Sequence, residues 1–399
     1  MKQRSVLITG ASIAGPALAF WLRRHGGEIV VVERAPELRD GGQTVDIRGA
    51  GRKVVQRMGI EQAIRENTTH EDGIAFVDAE NRTQAGIGAE AFGGEGPVAE
   101  LEILRGELAK VLIARAQEGV TYVFGDQVTG LVDDGEKVEA RFLHGATRTF
   151  DLVVIAEGIN SRTRKLVFGD EVTMRPFNLY TAYFTIPRAD TDGRWARWFS
   201  APGSRSVLLR PDNLGTTRAA MMFLTSERGY EKLDRAEQQA LLARVFADAG
   251  WEVPRVLAEC FKAKDFYFED VGQVRMPRWS KGRVALLGDA AYCASPVSGM
   301  GTSLALVGAY VLAGELGRHD DHREAFASYE KILRPYVKEA QSVPRFAPRL
   351  ASPRTRPAIA LRNTVLRFAT VPVVQNLFGK LLSPPTNAIT LPDYGTWTG

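Results

Sequence analysis

Ser5-Val6-Leu7-Ile8-Thr9 is an apolar, β-branched run that stops at Gly10-Ala11-Ser12-Ile13-Ala14-Gly15. Leu18, Ala19 and Leu22 then recur at helical spacing as far as Gly26-Gly27, and Ile29-Val30-Val31-Val32 ends in Glu33. A short apolar run bounded by turn residues reads as a buried parallel strand. Two parallel strands need a crossover, which the intervening helix supplies. The stretch therefore specifies a βαβ unit, with the bare N–H groups of a helix start turned toward whatever anion sits at the glycine turn. Ser12 stands where the GxGxxG pattern has its second glycine, the point of closest backbone approach to a pyrophosphate. Serine is small enough for that approach, and its hydroxyl can bond a phosphate oxygen. Glu33 falls where an acid accepts ribose hydroxyls and repels a 2′-phosphate. FAD or NAD fits this unit better than NADP. Gly10, Ser12, Ala14, Gly15, Glu33 and the neighbouring Arg34 are the expected contacts.

Two later stretches repeat the theme of an acid and a glycine at the end of a buried strand. Asp151-Leu152-Val153-Val154-Ile155-Ala156 runs into Glu157-Gly158, and Ser161 is a candidate helix N-cap. Val284-Ala285-Leu286-Leu287 runs into Gly288-Asp289. Turn-forming residues follow, from Ser295-Pro296 to Gly299-Met300-Gly301-Thr302, and then a helical pattern through Leu304, Val307, Val311 and Leu316. In open α/β sheets, ligands bind at that carboxyl edge. Asp289 can accept hydrogen bonds from hydroxyl groups, and the following helix start can hold negative charge.

Between these motifs, Arg39–Arg52 reads as a polar, glycine-rich loop with a short strand near Thr44–Ile47. Arg48 in it is either a contact for a flavin or nicotinamide phosphate, or a solvated loop charge. Arg105, just ahead of a helix start, either reaches a diphosphate or ribityl chain or caps local acids. Gly73–Asp78 and Thr83–Ile87 read as a hairpin. Val120–Phe124, Gln127–Asp133, Val138–Phe142 and Thr147–Phe150 read as antiparallel strands. From about Pro176 to Arg275 aromatic and β-branched strands dominate, interrupted by a helix over Arg235–Ala249. Tyr183, Trp198, Met222, Phe223 and Phe268 are the candidates there for lining a pocket for a flat apolar substrate. The expected organisation is a nucleotide-binding part over 1–175 with inserted antiparallel strands, a sheet domain over 176–275, a return to the first domain over 276–335, and a helical segment over 336–399.

At 399 residues the chain exceeds most single cores, which agrees with two interlocked domains. A formal charge of +4 without any Lys/Arg run carries no nucleic-acid footprint. Cys260 and Cys293 lack the spacing of a disulfide framework or a zinc site. Nothing resembles a signal peptide, and no apolar run reaches the length of about 18 residues needed for a membrane span. A cytoplasmic monomer or homodimer is expected.

In combination, GASIAGPALA, DLVVIAEGINSRTR and RVALLGDAAYCASPVSGMGTSLAL resemble the aromatic-hydroxylase class of FAD monooxygenases. The loop GGQTVDIRGAG looks most like their compact branch, which includes the tetracycline-inactivating monooxygenases. The resemblance implies an α/β fold, with a Rossmann-like FAD-binding domain of the para-hydroxybenzoate hydroxylase type interleaved with a β-sheet substrate domain and followed by C-terminal helices. It implies that the glycine turn takes the FAD diphosphate, that Asp289 holds the ribityl chain, and that Arg105 contacts FAD. It places the backbone of Pro296–Thr302, with Gly299, Met300 and Gly301, against the flavin pyrimidine. Glu157-Gly158 matches a motif linked to FAD and NAD(P)H, with Glu in place of Asp. Arg48, Pro296 and Gly299 are then the residues at the chemistry. The implied reaction takes NADPH or NADH and O2 and passes an oxygen atom from a flavin C4a-hydroperoxide to an aromatic or polyketide-like molecule. Open alternatives are an oxidase, reductase or halogenase on the same scaffold, and a flavin-binding module without turnover; Arg194–Phe199 lacks the halogenase WxWxIP pattern.

Overall fold

The computed structural model describes residues 4–38, 42–91, 100–369 and 385–395. β1 (Val6–Thr9), α1 (Ala14–Leu22) and β2 (Ile29–Glu33) form the βαβ unit. Then come β3 (Thr44–Asp46), α2 (Gly49–Met58), α3 (Glu61–Arg65) and the hairpin β4 (Gly73–Val77) and β5 (Thr83–Gly88). β6 (Glu102–Leu104) leads into α4 (Arg105–Ala116) and β7 (Val120–Phe124). β8 (Val128–Asp133), β9 (Val138–Phe142) and β10 (Arg148–Phe150) form a small antiparallel sheet. β11 (Leu152–Ile155) and α5 (Arg162–Phe168) complete this part.

The first large sheet is built on β1, which is buried throughout and pairs in parallel with both β2 and β11. β7 extends it beyond β2, also in parallel. The expectation of an antiparallel strand at Val120–Phe124 is corrected here. α4 packs beside α1 and delivers the chain to the edge next to β2, where β7 runs in the same direction. On the other side β11 pairs with β18 (Val284–Leu286), whose antiparallel neighbour is β17 (Ser280–Lys281).

The second sheet contains β12 (Thr173–Pro187), β13 (Trp195–Ala201), β14 (Arg205–Pro211), β15 (Thr216–Leu224) and β16 (Tyr267–Arg275). Its order is β16-β12-β15-β14-β13-β4-β5. The hairpin at 73–88, expected as an insert of the first part, therefore belongs to this sheet, where β4 runs parallel to β13. α6 (Arg235–Val245) and α7 (Val253–Cys260) cover one face. Asp234 and Glu237 form a capping box at the start of α6.

α8 (Asp289–Tyr292), a 3₁₀ turn at Pro296–Ser298 and α9 (Gly301–Arg318) follow β18. α9 is buried on nearly every side because it packs between α1, α2 and α10 (His322–Ala340). α11 (Ala347–Ala351) and α12 (Arg356–Ala369) come next. The apolar spacing read over Ile359–Leu382 is helical as far as residue 369, and the rest lies outside the described residues. Residues 385–395, expected in a helical segment, are not helical. They run back along the first part: Thr386 accepts from Ala50 N at 3.1 Å, and Pro392 accepts from Tyr310 at 2.8 Å. No helix among the described residues is long and apolar enough to cross a membrane.

Candidate cofactor and substrate cleft

The glycine turn is built to a tolerance that no side chain would meet. Gly10 holds φ at +103°, and a Cβ there would stand 2.5 Å from the Ala156 carbonyl oxygen at the end of β11. A Cβ on Gly15 would stand 2.0 Å from the Gly10 carbonyl oxygen. Only glycine lets α1 start this close to β1, which aims its first N–H groups along the carboxyl edge of the sheet. Glu33 accepts from Ala11 N at 3.0 Å and from Ala35 N at 2.9 Å, so its carboxylate is fastened beside the turn. Arg34 is exposed next to it.

Gly288 closes the distance to the third motif. A Cβ on it would lie 3.2 Å from the Ala14 Cβ and 3.9 Å from the Ala305 Cβ. The start of α1, the end of β18 and the first turns of α9 therefore meet at one place. Asp289 is half-buried there, and a Cβ on Gly301 would lie 3.9 Å from its Oδ1. Burial raises the Asp289 carboxyl above its ordinary range, while the Arg105 charge and the Cys293 thiol oppose that. Arg105 reaches in from the start of α4 and donates from Nε to Ser12 Oγ at 3.0 Å. One guanidinium thus stands between the glycine turn and Asp289.

The remaining expected cofactor residues divide by what their side chains touch. Glu157 accepts from Ser161 Oγ at 2.7 Å and from Thr163 N at 3.1 Å, so it is tied to its own loop and the start of α5. Ser161 caps α5 as expected, accepting from Arg164 N at 3.0 Å. Gly158, at φ +83°, has open space where a Cβ would be. Met300 is fully buried in the main core and Thr302 is buried, whereas Pro296 is exposed and Gly299 turns the chain at φ +63°. Arg48 is not a solvated loop charge. It is 3 % exposed, bonds Asp46 Oδ2 through Nη2 at 2.9 Å, and its backbone N–H and C=O both meet the Ser303 hydroxyl of α9.

Strand parity sorts the candidate substrate residues. Tyr183, Met222 and Trp198 lie on one face: Thr181 pairs with Met222, Tyr183 with Ala220, Ala220 with Leu208, and Leu208 with Trp198. That face turns toward the first part: Met222 and Val297 of the 3₁₀ turn both pack against the cluster of Phe177, Leu179 and Val271. Phe223 and Phe268 point the other way. Both belong to the core under α6 and α7, stacked with Tyr180 at 5.6 and 5.5 Å. As pocket-lining candidates they are corrected: each is one residue out of step with the open face, and side chains alternate along a strand.

The same parity brings in residues that composition alone did not single out. Thr181 and Glu269 are paired on the open face, one position from Phe268. Arg362 of α12 lies over the Phe76 ring at 4.9 Å and donates to Ser200 Oγ at 2.9 Å, and burial lowers its guanidinium to about 10. Leu366 of α12, like Trp198 and Leu208, packs against the buried cluster that includes Ile74, Phe76 and Ala196. Nothing in the spacing of α12 reveals that it roofs this face.

The cleft fits a bound dinucleotide: a cradle only glycine can form, an acid beside it, a bridging cation, and a half-buried carboxyl at the far end. Residues 3–343 match the family described as FAD binding domain. The FAD-dependent monooxygenase asL4 of Sarocladium schorii is 35% identical over 373 residues, covering 86% of this chain and 86% of that protein. The flavin-dependent monooxygenase eupH of a Phoma species is 34% identical over 428 residues, covering 99% and 98%. Among solved structures, tetracycline destructase Tet(55) superposes with a TM-score of 0.83 at 32% identity, covering 98% of this chain and 99% of that one. With its glycine cradle, its Gly288-Asp289 edge and these relatives, the chain belongs to the class A, FAD-dependent flavin monooxygenases.

Proposed function

We propose that this monooxygenase hydroxylates a flat aromatic or polyketide-like molecule bound between the open face of the second sheet and the Pro296–Gly299 turn, with NADPH or NADH as electron donor. The observation that carries this reading is the face shared by Tyr183, Met222 and Trp198, with Met222 and Val297 packed on the same cluster of Phe177, Leu179 and Val271. An apolar, aromatic floor beside a few fixed polar groups suits a flat, partly polar molecule. Ser200, Ser206 and Arg362 supply those groups, linked at 3.2 Å between the two hydroxyls and 2.9 Å from the guanidinium.

Ser12, Arg105 and Glu33 would hold the adenosine diphosphate end of FAD, and Asp289 the polyol chain. The backbone of Gly299–Thr302 at the start of α9 would face the ring system, where N–H donors favour negative charge. FAD, when bound and reduced, would supply the electrons that activate O2, and O2 the oxygen atom. The chain's own part is to bind and orient the substrate, exclude water and hold negative charge at that helix start.

Polycyclic phenols of the tetracycline kind are the compounds to test first, given the Tet(55) likeness. The FAD-loaded enzyme is expected to consume NADPH or NADH only when such a compound is present, and to place one atom of labelled dioxygen in the product. Consumption without label in the product would replace hydroxylation by oxidase or reductase chemistry.

A further inference from the structure

The wall of the cleft opposite the glycine turn carries an acid that no fingerprint includes. Glu269 of β16 pairs in register with Thr181 of β12, and the next pair on that face is Tyr183 with Tyr267. The two phenol rings stack at 6.4 Å and 13°. Tyr267 donates from its hydroxyl to Glu269 Oε2 at 3.2 Å, and the Tyr183 hydroxyl is a second donor to the same carboxyl. Tyr267 is 44% exposed, so this pair joins the cleft to solvent.

β16 packs against α8, which sets Glu269 facing Asp289. The other charged or titratable groups that face it are Arg105 of α4 and the Cys293 thiol after α8. Two carboxyls therefore share one guanidinium, and that guanidinium is already bonded to Ser12 in the turn that would take a diphosphate. Burial pushes the Glu269 carboxyl up to about 7, against the Tyr267 hydrogen bond and with the Asp289 charge adding to it. A dinucleotide diphosphate brings further negative charge to Arg105. Its field opposes ionisation of any acid nearby.

We propose that Glu269 is a proton-linked residue of the FAD cleft: its carboxyl, held by Tyr267 and Tyr183, takes up one proton when FAD binds and releases it when FAD leaves. The O–H bond formed on Glu269 uses a solvent proton delivered past Tyr267, and no other bond changes. The inference rests on the placement of FAD argued above. By linkage, FAD affinity then falls with rising pH over the interval between the Glu269 pKa of the empty and the filled cleft, approaching about tenfold per pH unit.

The test is FAD affinity, read by quenching of flavin fluorescence between about pH 6 and about pH 9. Titration calorimetry in two buffers of different ionisation enthalpy counts the protons. Wild type is expected to lose affinity as pH rises and to take up protons on binding. Glu269→Gln should bind FAD with little pH dependence and no proton uptake. Tyr267→Phe, a milder change at a half-exposed position, removes a bond that favours the ionised acid and should move the midpoint to higher pH. An unchanged slope and proton count in Glu269→Gln, or an unmoved midpoint in Tyr267→Phe if the first does not fold, overturns the proposal. If Asp289→Asn and Arg105→Ala both keep full FAD affinity, the placement of FAD fails instead.

Discussion

Arg105 Nε stands 3.0 Å from Ser12 Oγ, which joins the first residue of α4 to the glycine turn after β1. A cation in the first turn of a helix opposes the helix dipole, so this arginine weakens its own helix. Residues that break a local rule tend to be kept for a ligand. Arg105→Ala is therefore expected to leave the stability of the cofactor-free protein unchanged or slightly raised. FAD affinity should fall roughly tenfold to a hundredfold, the value of a charge-assisted hydrogen bond of about 1.5–3 kcal/mol. Thermal melts without FAD and flavin fluorescence titrations separate the two effects. A large loss of stability with affinity intact would make Arg105 structural.

Phe223 and Trp198 make a paired prediction about the two faces of the second sheet. Phe223 is 4% exposed and stacked among Tyr180, Tyr230 and Phe268. Phe223→Ala should cost about 3–5 kcal/mol through the cavity it leaves, while the folded enzyme keeps its KM for substrate. Trp198→Leu should cost much less and raise KM. Urea unfolding and steady-state kinetics on both variants decide it, and the reverse pattern would turn the sheet around.

The glycine turn, its acid and the Gly288-Asp289 edge were legible because each is a local rule: a buried strand, a required glycine and a charged group within a few residues. The meeting of Ala14, Gly288 and Ala305 is visible only in the fold, where a Cβ on Gly288 would lie 3.2 Å from one and 3.9 Å from the other. The faces of the second sheet were harder to read. β12 runs through Leu179, Tyr180, Thr181, Ala182, Tyr183 and Phe184 with bulky residues on both sides, since one face packs on α6 and α7 and the other turns toward the first part. Alternation is then hidden, and aromatic content does not tell Tyr183 from Phe223. β7 and the 73–88 hairpin were misplaced for a related reason. Their partners lie far along the chain, and sheet neighbours are set by the crossover through α4 and by β13, not by local pattern.

Arg210, Glu71 and Glu102 lie where β14 meets β6, with Arg210 Nη2 at 2.7 Å from Glu71 and 2.5 Å from Glu102. Burial raises both carboxyls, Glu102 well above its usual range, against the opposing Arg210 charge. An acid whose folded pKa is raised binds its proton more tightly in the native state. Stability is therefore greatest below the unfolded value and falls as pH rises toward the folded one. Glu102→Gln removes one of these protons from the balance. It should flatten the decline of the melting temperature above about pH 4.5 and raise it at alkaline pH. A steeper decline in the variant would show that the ionised Glu102 is needed by Arg210.

Ser295 opens the turn that would face the flavin ring, at φ +74° and ψ 155°. This region belongs to glycine, and a serine there stores about 1–3 kcal/mol. Pro296 follows it, which narrows its backbone further. The strain is held in place by neighbours: Ser298 donates from N and Oγ to the Ser295 carbonyl at 3.1 and 2.8 Å, and Met300 N donates to Ser298 Oγ at 3.2 Å. Ser295→Gly relieves the strain, offset by the larger backbone entropy of glycine in the unfolded chain, about 0.5–1 kcal/mol. The variant should match or exceed wild type in stability by up to about 2.5 kcal/mol. Its turn, free to sample other conformations, should hold the Gly299–Thr302 amides less firmly, and turnover per bound flavin should fall severalfold. Denaturant unfolding and substrate-dependent NADPH consumption read the two together. A less stable variant with full turnover would mean that the serine conformation is unstrained and idle in the reaction.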